Sequence, residues 1–360
     1  MEEIIKKLVD SGYEAYVVGG YVRDFLLGNK SYDIDICTNA PINKIISLFQ
    51  GRGKAFKQYF SYHIEENGYS YDITSFREEF AYKKNKPIEI RIANDLETDL
   101  KRRDFTINTF AIDKDNHLID IYNAKEDLNN KIIKVVGDTQ TKLSEDKTRI
   151  IRAIRFACTL DFDLDSQIIK FINKKGCLLN EVPREYIKKE LDKIFDSSTL
   201  DKFMFLIRRY NLSKYLSISV SNLVNAYNRY GIWAQIETDL PFSKKEKNII
   251  SSIKEIIDSG SITVNQINKY DEVVMMNAAV ILNQVDKYKA LVELSKVRSV
   301  LDIDVSIYLV AMYVGYKDAK RVYKKIEKYI MEGKLENDSK KIESFLRSMH
   351  YEWFKKCFYK

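Results

Sequence analysis

Residues 16–38 read YVVGGYVRDFLLGNKSYDIDICT, and that stretch decides how the rest of the chain is read. An apolar run stops at Gly19 and Gly20, and a second apolar run carries Asp33 and Asp35, one residue apart. Strand side chains alternate between faces, so the two carboxylates leave the same face with Cα atoms about 6.6 Å apart, while Ile34 and Ile36 point the other way. Like charges so placed repel, and an apolar surrounding raises their pKa values unless a cation neutralises them. Hard oxygen donors without His or Cys favour Mg²⁺, which keeps positions open for substrate phosphates. Taken alone, the pair reads equally as two solvent-facing aspartates on an edge strand.

The preceding segment narrows the choice. Val22, Phe25 and Leu26 have helical spacing, so "YVVGGYVRDFLL" reads as strand, glycine turn and helix start. Glycines let a backbone approach closely, and free N–H groups at a helix start attract anions. Arg23 is placed to reach the same phosphates. A glycine pair is usually only a turn; a glycine pair, an arginine and a DxD in this order form a far more specific combination. Asp72, in "YSYDITSF", is the candidate third carboxylate, with an outward-facing strand residue as its ordinary alternative.

Around this stretch, residues 1–138 mix strand-like runs ("YVVGG", "YDIDI", "YSYDITSF", "IEIRIA", "FTINTFAID", "HLIDIY", "KIIKVVG") with turns and helices. From about residue 140 the apolar spacing becomes helical, and Gly137–Asp138–Thr139 marks a plausible hinge. The 360 residues, 45% of them hydrophobic, suffice for two or more domains with real cores. Lys and Arg nearly balance Asp and Glu over 1–200 (net −1), and the basic excess lies in 201–360 (net +8). That half suits a phosphate backbone with aromatic stacking faces, or else is a set of solvated Lys-rich helices. Cys37, Cys158, Cys177 and Cys357 form no CxxC pair and read as reduced packing thiols. The N-terminus lacks the pattern of a signal peptide and no run has the length of a membrane span, so a cytoplasmic protein with no membrane partner is expected.

"GGYVRDFLLGNKSYDID" resembles motif A of the class II tRNA nucleotidyltransferases, the CCA-adding enzymes, a family that includes bacterial poly(A) polymerase and shares a superfamily with DNA polymerase beta. "RRDFTINTF" (102–110), "EDKTRIIRAIRF" (145–156) and "REYIKKEL" (184–191) resemble motifs B, D and E, in the family's order. The resemblance implies an α+β fold: a polymerase-beta-like head of mixed sheet and helices (1–138), then an all-helical neck (139–200), body (201–270) and tail (271–360). It implies that Asp33 and Asp35 bind metal and that Asp72 completes the catalytic carboxylates. Gly19, Gly20 and Arg23 match the triphosphate cradle, and Arg103 and Asp104 the ribose site. Asp146 and Arg149 match the pair that reads the base of CTP or ATP, with Arg152 and Arg155 as further nucleotide contacts. On a continuous helix, Asp146, Arg149 and Arg152 are successive neighbours, an arrangement also found on ordinary salt-bridged surfaces.

The implied activity is template-independent addition of C, C and A to the tRNA 3′ end, with two Mg²⁺ ions as cofactor and CTP, ATP and tRNA as partners. A CC-adding or A-adding specialist, a poly(A) polymerase and, remotely, a non-catalytic RNA-binding protein are the alternatives. Two departures stand out. "DIYNAKEDL" places Asn123 and Ala124 where motif C carries glycines, and the expected flexible loop "REEFAYKKNKP" (77–87) has Lys83, Lys84 and Lys86 where acidic and arginine residues are usual. With only His63, His117 and His350, the chain has no paired-histidine phosphohydrolase arrangement.

Overall fold

Alternating apolar residues at 15–18 and 33–38 build the centre of a sheet. In the computed structural model, which describes residues 1–197, 199–295 and 303–358, helix α1 (Glu2–Asp10) leads to strand β1 (Ala15–Val18), and β1 turns at Gly19 into α2 (Gly20–Leu26). Strand β2 (Asp33–Thr38) is followed by α3 (Ile42–Leu48), β3 (Gly53–Phe56), β4 (Ser61–Glu66) and β5 (Tyr69–Ser75). A hairpin of β6 (Arg77–Lys83) and β7 (Lys86–Ile92) forms its own two-stranded sheet. After α4 (Leu96–Lys101), the short strands β8 (Ala111–Ile112) and β9 (Leu118–Ile119) return to the main sheet.

The seven strands lie in the order β3-β4-β5-β2-β1-β8-β9. Only β2 and β5 run parallel and the other neighbours are antiparallel, so the sheet is mixed, as expected. Strand β2 occupies the middle position, which excludes the edge-strand alternative for Asp33 and Asp35. Val17, Ile34, Ile36 and Ile73 are buried and anchor the inner strands.

Two expected strands differ. Within "FTINTFAID" only Ala111–Ile112 joins the sheet, while Thr106–Asn108 forms a 3₁₀ turn. The Thr106 hydroxyl donates to Asp127 Oδ2 (2.7 Å) and that of Thr109 to the Thr106 carbonyl (2.7 Å), local bonds that compete with a ladder. After α5 (Ala124–Asn129), "KIIKVVG" contributes β10 (Ile132–Ile133). Its partner is not the main sheet but β11 (Asp163–Leu164), which follows α6 (Thr139–Glu145) and α7 (Thr148–Thr159). Helices α8 (Ser166–Lys175), α9 (Arg184–Phe195), α10 (Leu200–Arg209) and α11 (Ser213–Leu216) continue the chain. All of this belongs to one compact unit, Met1–Ser219 with Thr238–Pro241. Cys37 and Cys158 are buried free thiols, as read from the sequence, whereas Cys177 is exposed.

The second unit, Val220–Glu237 with Phe242–Lys360, is mostly helical among its described residues. It comprises α12 (Arg229–Ala234), α13 (Lys244–Asp258), α14 (Val264–Lys269), α15 (Glu272–Ile281), α16 (Val285–Ser295), α17 (Ile307–Val314), α18 (Tyr316–Met331) and α19 (Ser339–Phe358). Of the expected tail, 296–302, 359–360 and the side chain of Cys357 lie outside the described residues. Capping boxes Ser243–Glu246 and Thr263–Gln266 start α13 and α14. One core gathers Ile253, Ile256, Met275 and Ala278, and another Val310, Tyr323, Ile326 and Leu346. No described helix is long and apolar enough to cross a membrane.

Asn277, fully buried on α15, ties this unit together by accepting from the Asn228 N–H (3.0 Å) and donating to Asn228 Oδ1 (3.0 Å) and the Val273 carbonyl (2.7 Å). Asn277→Ala orphans the Asn228 N–H and is expected to cost about 2 kcal/mol. The check is the free energy of urea unfolding, and a loss below about 0.5 kcal/mol would refute the role.

Candidate active site

Register places the carboxylates. Asp35 on β2 pairs with Asp72 on parallel β5, and Asp72 pairs with His63 on β4, so the three share one face and one row. The Asp35 carboxyl reaches water yet lies deep among protein atoms. Desolvation is the largest influence on its pKa and raises it; Arg103 and Arg102 oppose the rise, and Asp72 and Asp33 add to it. Asp72 Oδ1 meets His63 Nδ1 at 2.9 Å, and that bond is the main cause of a raised His63 pKa. Asp35 and Asp72 on neighbouring strands, with Asp33 two residues along β2, offer carboxylate oxygens of the kind a divalent cation takes. Among the described residues, it is Asp113, Asp115 and His117 that bring three ligand atoms within 4.8 Å of one another, on the exposed turn between β8 and β9. There Asp113 accepts from the N–H groups of His117 (2.8 Å) and Asp115 (2.9 Å), which identifies a self-bonded turn.

The glycine turn is packed against this row. Gly19 has φ +81°, and a Cβ there would stand 2.8 Å from both Asp35 Oδ2 and Arg103 Nη1. A side chain at Gly19 would therefore be strained and would displace the Asp35 or Arg103 side chain, unlike one at Gly20, whose nearest neighbour would be Arg23 Nη2 at 3.6 Å. Below the turn lies a cleft of about 380 Å³ lined by Gly20, Arg23, Asp33, Asp35, Arg103, Asp104, Arg152 and Arg155, with Asn108 and Phe156.

Its arginines are all held. Arg23 Nη1 donates to Asn108 Oδ1 (2.6 Å), and its Nε and Nη2 donate to Asp24 Oδ1. Arg103 Nη2 lies 3.8 Å from buried Asp99. Arg152 Nε donates to Asp104 Oδ2 (2.8 Å), whose other oxygen accepts from Asn108 Nδ2 and the Phe105 N–H. Burial alone would raise the Asp104 pKa, but Arg152 and these bonds hold it far below the usual range. Arg155 Nε donates to Glu190 Oε2 (2.7 Å) on α9, and Lys193 supports the same carboxylate (2.9 Å). Desolvation lowers the Arg155 pKa against the pull of Glu190. The Phe156 ring lies 5.0 Å from the Arg23 guanidinium, 5.5 Å from that of Arg152 and 3.5 Å from that of Arg155. Asp24, Asn108, Phe156 and Glu190 are neighbours of the cleft arginines that the motif reading did not name. The i, i+1 spacing of Arg155 and Phe156 and the glutamate in "REYIKKEL" were the available signals.

Asp146 and Arg149 are placed differently. Asp146 is not on a continuous helix: with φ −128° and ψ 98° it breaks the chain between α6 and α7, and its Oδ1 caps α7 through the Thr148 N–H (3.0 Å). Arg149, 4% exposed, lies 3.8 Å from Asp146 Oδ2 and donates to the Lys142 carbonyl (2.9 Å) and the Tyr82 hydroxyl (3.2 Å). Neither lines the cleft that holds Arg152 and Arg155. Tyr82 belongs to the β6–β7 hairpin, so the segment expected as a loop is built of paired strands joined by a turn with Lys84 and Asn85 at φ 50° and 62°. Asn85 accepts from the Lys147 N–H (3.1 Å) and donates to the Glu181 carbonyl (3.2 Å), pinning the hairpin tip. Asn123, at a motif C glycine position, adopts φ 53°, a left-handed conformation asparagine tolerates.

Residues 15–134 match the poly(A) polymerase head domain family. Over 192 residues the chain is 38% identical to a CCA-adding enzyme of Limosilactobacillus reuteri, covering 53% of this chain and 48% of that one. A CCA-adding enzyme of Leuconostoc mesenteroides is 32% identical over 257 residues, 68% of this chain and 64% of that one. The chain thus spans about half the length of the Limosilactobacillus relative it matches. The crystal structure of the Bacillus stearothermophilus CCA-adding enzyme in complex with CTP aligns with TM-score 0.73 at 23% identity, over 99% of this chain and 98% of that one. The Thermotoga maritima CCA-adding enzyme complexed with tRNA aligns with TM-score 0.68 at 18% identity, over 97% and 94%. Both likenesses concern the fold.

The Asp35 environment makes a signed prediction. Its folded pKa lies above the unfolded value, so the ionised form destabilises the fold above the folded pKa and the cost vanishes below the unfolded one. Asp35→Asn is expected to raise the urea midpoint at neutral pH in chelator and to leave it unchanged near about pH 3. Adding a divalent cation is expected to raise the wild-type midpoint and close the gap. Equal midpoints at neutral pH would sink this account.

Proposed function

Over residues 15–134 the chain belongs to the poly(A) polymerase head domain family, and from that premise we propose that it is a template-independent nucleotidyltransferase that adds C, C and A to the tRNA 3′ end from CTP and ATP. The observation that carries the reading is the in-register row of Asp35 and Asp72 beside Asp33, at the mouth of an arginine-lined cleft under Gly19. Residues 1–138 act as the catalytic head, 139–200 as a neck that recognises the nucleotide, 201–270 as the body and 271–360 as the tRNA-binding tail. The protein works in the cytoplasm.

In this reading the 3′-oxygen of tRNA bonds to the α-phosphorus, the bond to the β-phosphate oxygen breaks, and pyrophosphate leaves. Asp33 and Asp35 would hold two Mg²⁺, which when bound would acidify the attacking hydroxyl and neutralise charge on the leaving group. Asp72 draws the hydroxyl proton, directly or through its charge, while His63 fixes one of its oxygens. Gly19 and Gly20 let the triphosphate approach the backbone, and Arg23, Arg103 and Arg155 face its charge. Arg103 and Asp104 hold the ribose, and Arg152 keeps Asp104 ionised as an acceptor for the 2′-hydroxyl. Asp146 and Arg149 present acceptor and donor to the base edge, which requires the Tyr82 hairpin to release Arg149. Lys317, Lys320, Arg321, Lys324 and Lys328 on α18 supply tail charge for the tRNA backbone.

Asp33→Ala or Asp35→Ala is expected to lower incorporation of labelled CTP into tRNA by at least about 1,000-fold, with tRNA binding retained. Incorporation surviving in both variants would reject the metal-binding assignment. Asp146→Ala and Arg149→Ala are expected to reduce discrimination between CTP and ATP by about tenfold or more. The assay uses tRNA ending at the discriminator base, at C or at CC, which also separates the full activity from a CC-adding or A-adding specialist and from a poly(A) polymerase. Unchanged base choice would remove Asp146 and Arg149 from base recognition.

A further inference from the structure

We propose that Asp99 is a positioning residue for the incoming nucleotide: its buried carboxylate holds Arg103 off Asp35 and turned toward the arginine-lined cleft. The assignment rests on the nucleotidyltransferase reading above and deepens it.

Arg103 is the most loosely held of the four cleft arginines. Arg23, Arg152 and Arg155 each donate a bond of 2.8 Å or shorter. Arg103 has instead a contact of 3.5 Å with the Asn108 carbonyl and an ion pair of 3.8 Å with Asp99 Oδ2, and its Nε bonds nothing. It stands between two acids. On one side is Asp35, whose Oδ2 lies as near to the place of a Gly19 Cβ as Arg103 Nη1 does, at 2.8 Å. Arg103 is also the strongest pull against the desolvation that disfavours the Asp35 charge. On the other side is Asp99.

The surroundings of Asp99 suit that counter-pull. It is fully buried on α4, whose Leu96 and Leu100 pack into one core with Val18 and Cys37. Its Oδ1 is fixed, accepting from Arg102 Nε (3.0 Å) and from the Arg77 N–H (3.2 Å). Its Oδ2 faces Arg103 and has no hydrogen-bond partner. One oxygen anchors the carboxylate, and the other acts on Arg103 through charge in a weakly screened interior. Without that charge Asp35 draws Arg103 unopposed, and a triphosphate has to detach the guanidinium before Arg103 can face it. The cost falls on nucleotide binding, so it is read in affinity and KM rather than in kcat.

Asp99→Asn isolates the charge, because the amide oxygen can keep both bonds of Oδ1 while the amide nitrogen takes the place of the unbonded Oδ2. The test applies titration calorimetry of CTP with Mg²⁺, and steady-state incorporation into acceptor tRNA, to Asp99→Asn, Arg103→Ala and the double variant, with urea unfolding to show that each is folded. Asp99→Asn is expected to raise the Kd and the KM for CTP about tenfold, with kcat within about threefold of wild type. Since Asp99 acts through Arg103, the double variant is expected to bind CTP within about twofold of Arg103→Ala. Wild-type CTP affinity in Asp99→Asn, or additive losses in the double variant, overturns the positioning role. Arg103→Lys checks it with Asp99 left in place: lysine lacks the planar fork that spans the two acids, so CTP affinity is expected to fall about tenfold, and wild-type affinity there overturns the role as well. Wild-type protein that binds CTP yet extends no RNA overturns the nucleotidyltransferase reading, while the calorimetry still decides what Asp99 does for Arg103.

Discussion

Repulsion between carboxylates on adjacent inner strands is the constraint that the first unit is built around. Parallel pairing of β2 with β5 puts Asp35 beside Asp72, and no rotamer choice moves either away from the other's strand. Arg103 answers from one side and is itself steadied by Asp99, whose carboxylate is fully buried, bonded to Arg102 and to the Arg77 N–H. Asp99 Oδ2 and Arg103 Nε nevertheless have no hydrogen-bond partner in the structure. A buried polar atom left unbonded opposes folding. The first unit therefore holds electrostatic tension beside the arginine-lined cleft, and the glycine at 19 is what allows its charges to close ranks.

The sheet was legible because its inner strands are short apolar runs bounded by glycine, and period-two alternation survives wherever one face must be buried. Motif spacing likewise brought Gly20, Arg23, Asp33, Asp35, Arg103, Asp104, Arg152 and Arg155 to one cleft. What spacing does not carry is the identity of cross-chain partners. Asn108 bridges Arg23 to Asp104, and Glu190 receives Arg155 from 35 residues away. Such pairs form through tertiary packing, and a single sequence holds no record of them. The same limit explains "FTINTFAID": its threonine hydroxyls satisfy local backbone groups, and a β-prone composition then yields a turn.

The segment at 139–159 failed for a different reason. Helical periodicity runs through it without interruption, yet the chain breaks at Asp146 because that side chain bonds the Thr148 N–H and so competes with a continuous helix. Aspartate two residues before a threonine is a helix start as much as a helix interior, and only the fold chooses between them. The loop that the resemblance implied at 77–87 is a hairpin, since two residues with positive φ make a tight turn there despite the absence of glycine.

The four arginines of the cleft each face a carboxylate already: Arg23 faces Asp24, Arg103 Asp99, Arg152 Asp104 and Arg155 Glu190. The cleft is thus an ion exchanger more than a bare cationic surface. An incoming anion has to compete with acids belonging to the protein, and its success depends on how many charges it brings to several guanidinium groups at once. Inorganic phosphate and chloride bring few, so they would compete for these guanidinium groups less well than a chain of linked phosphates.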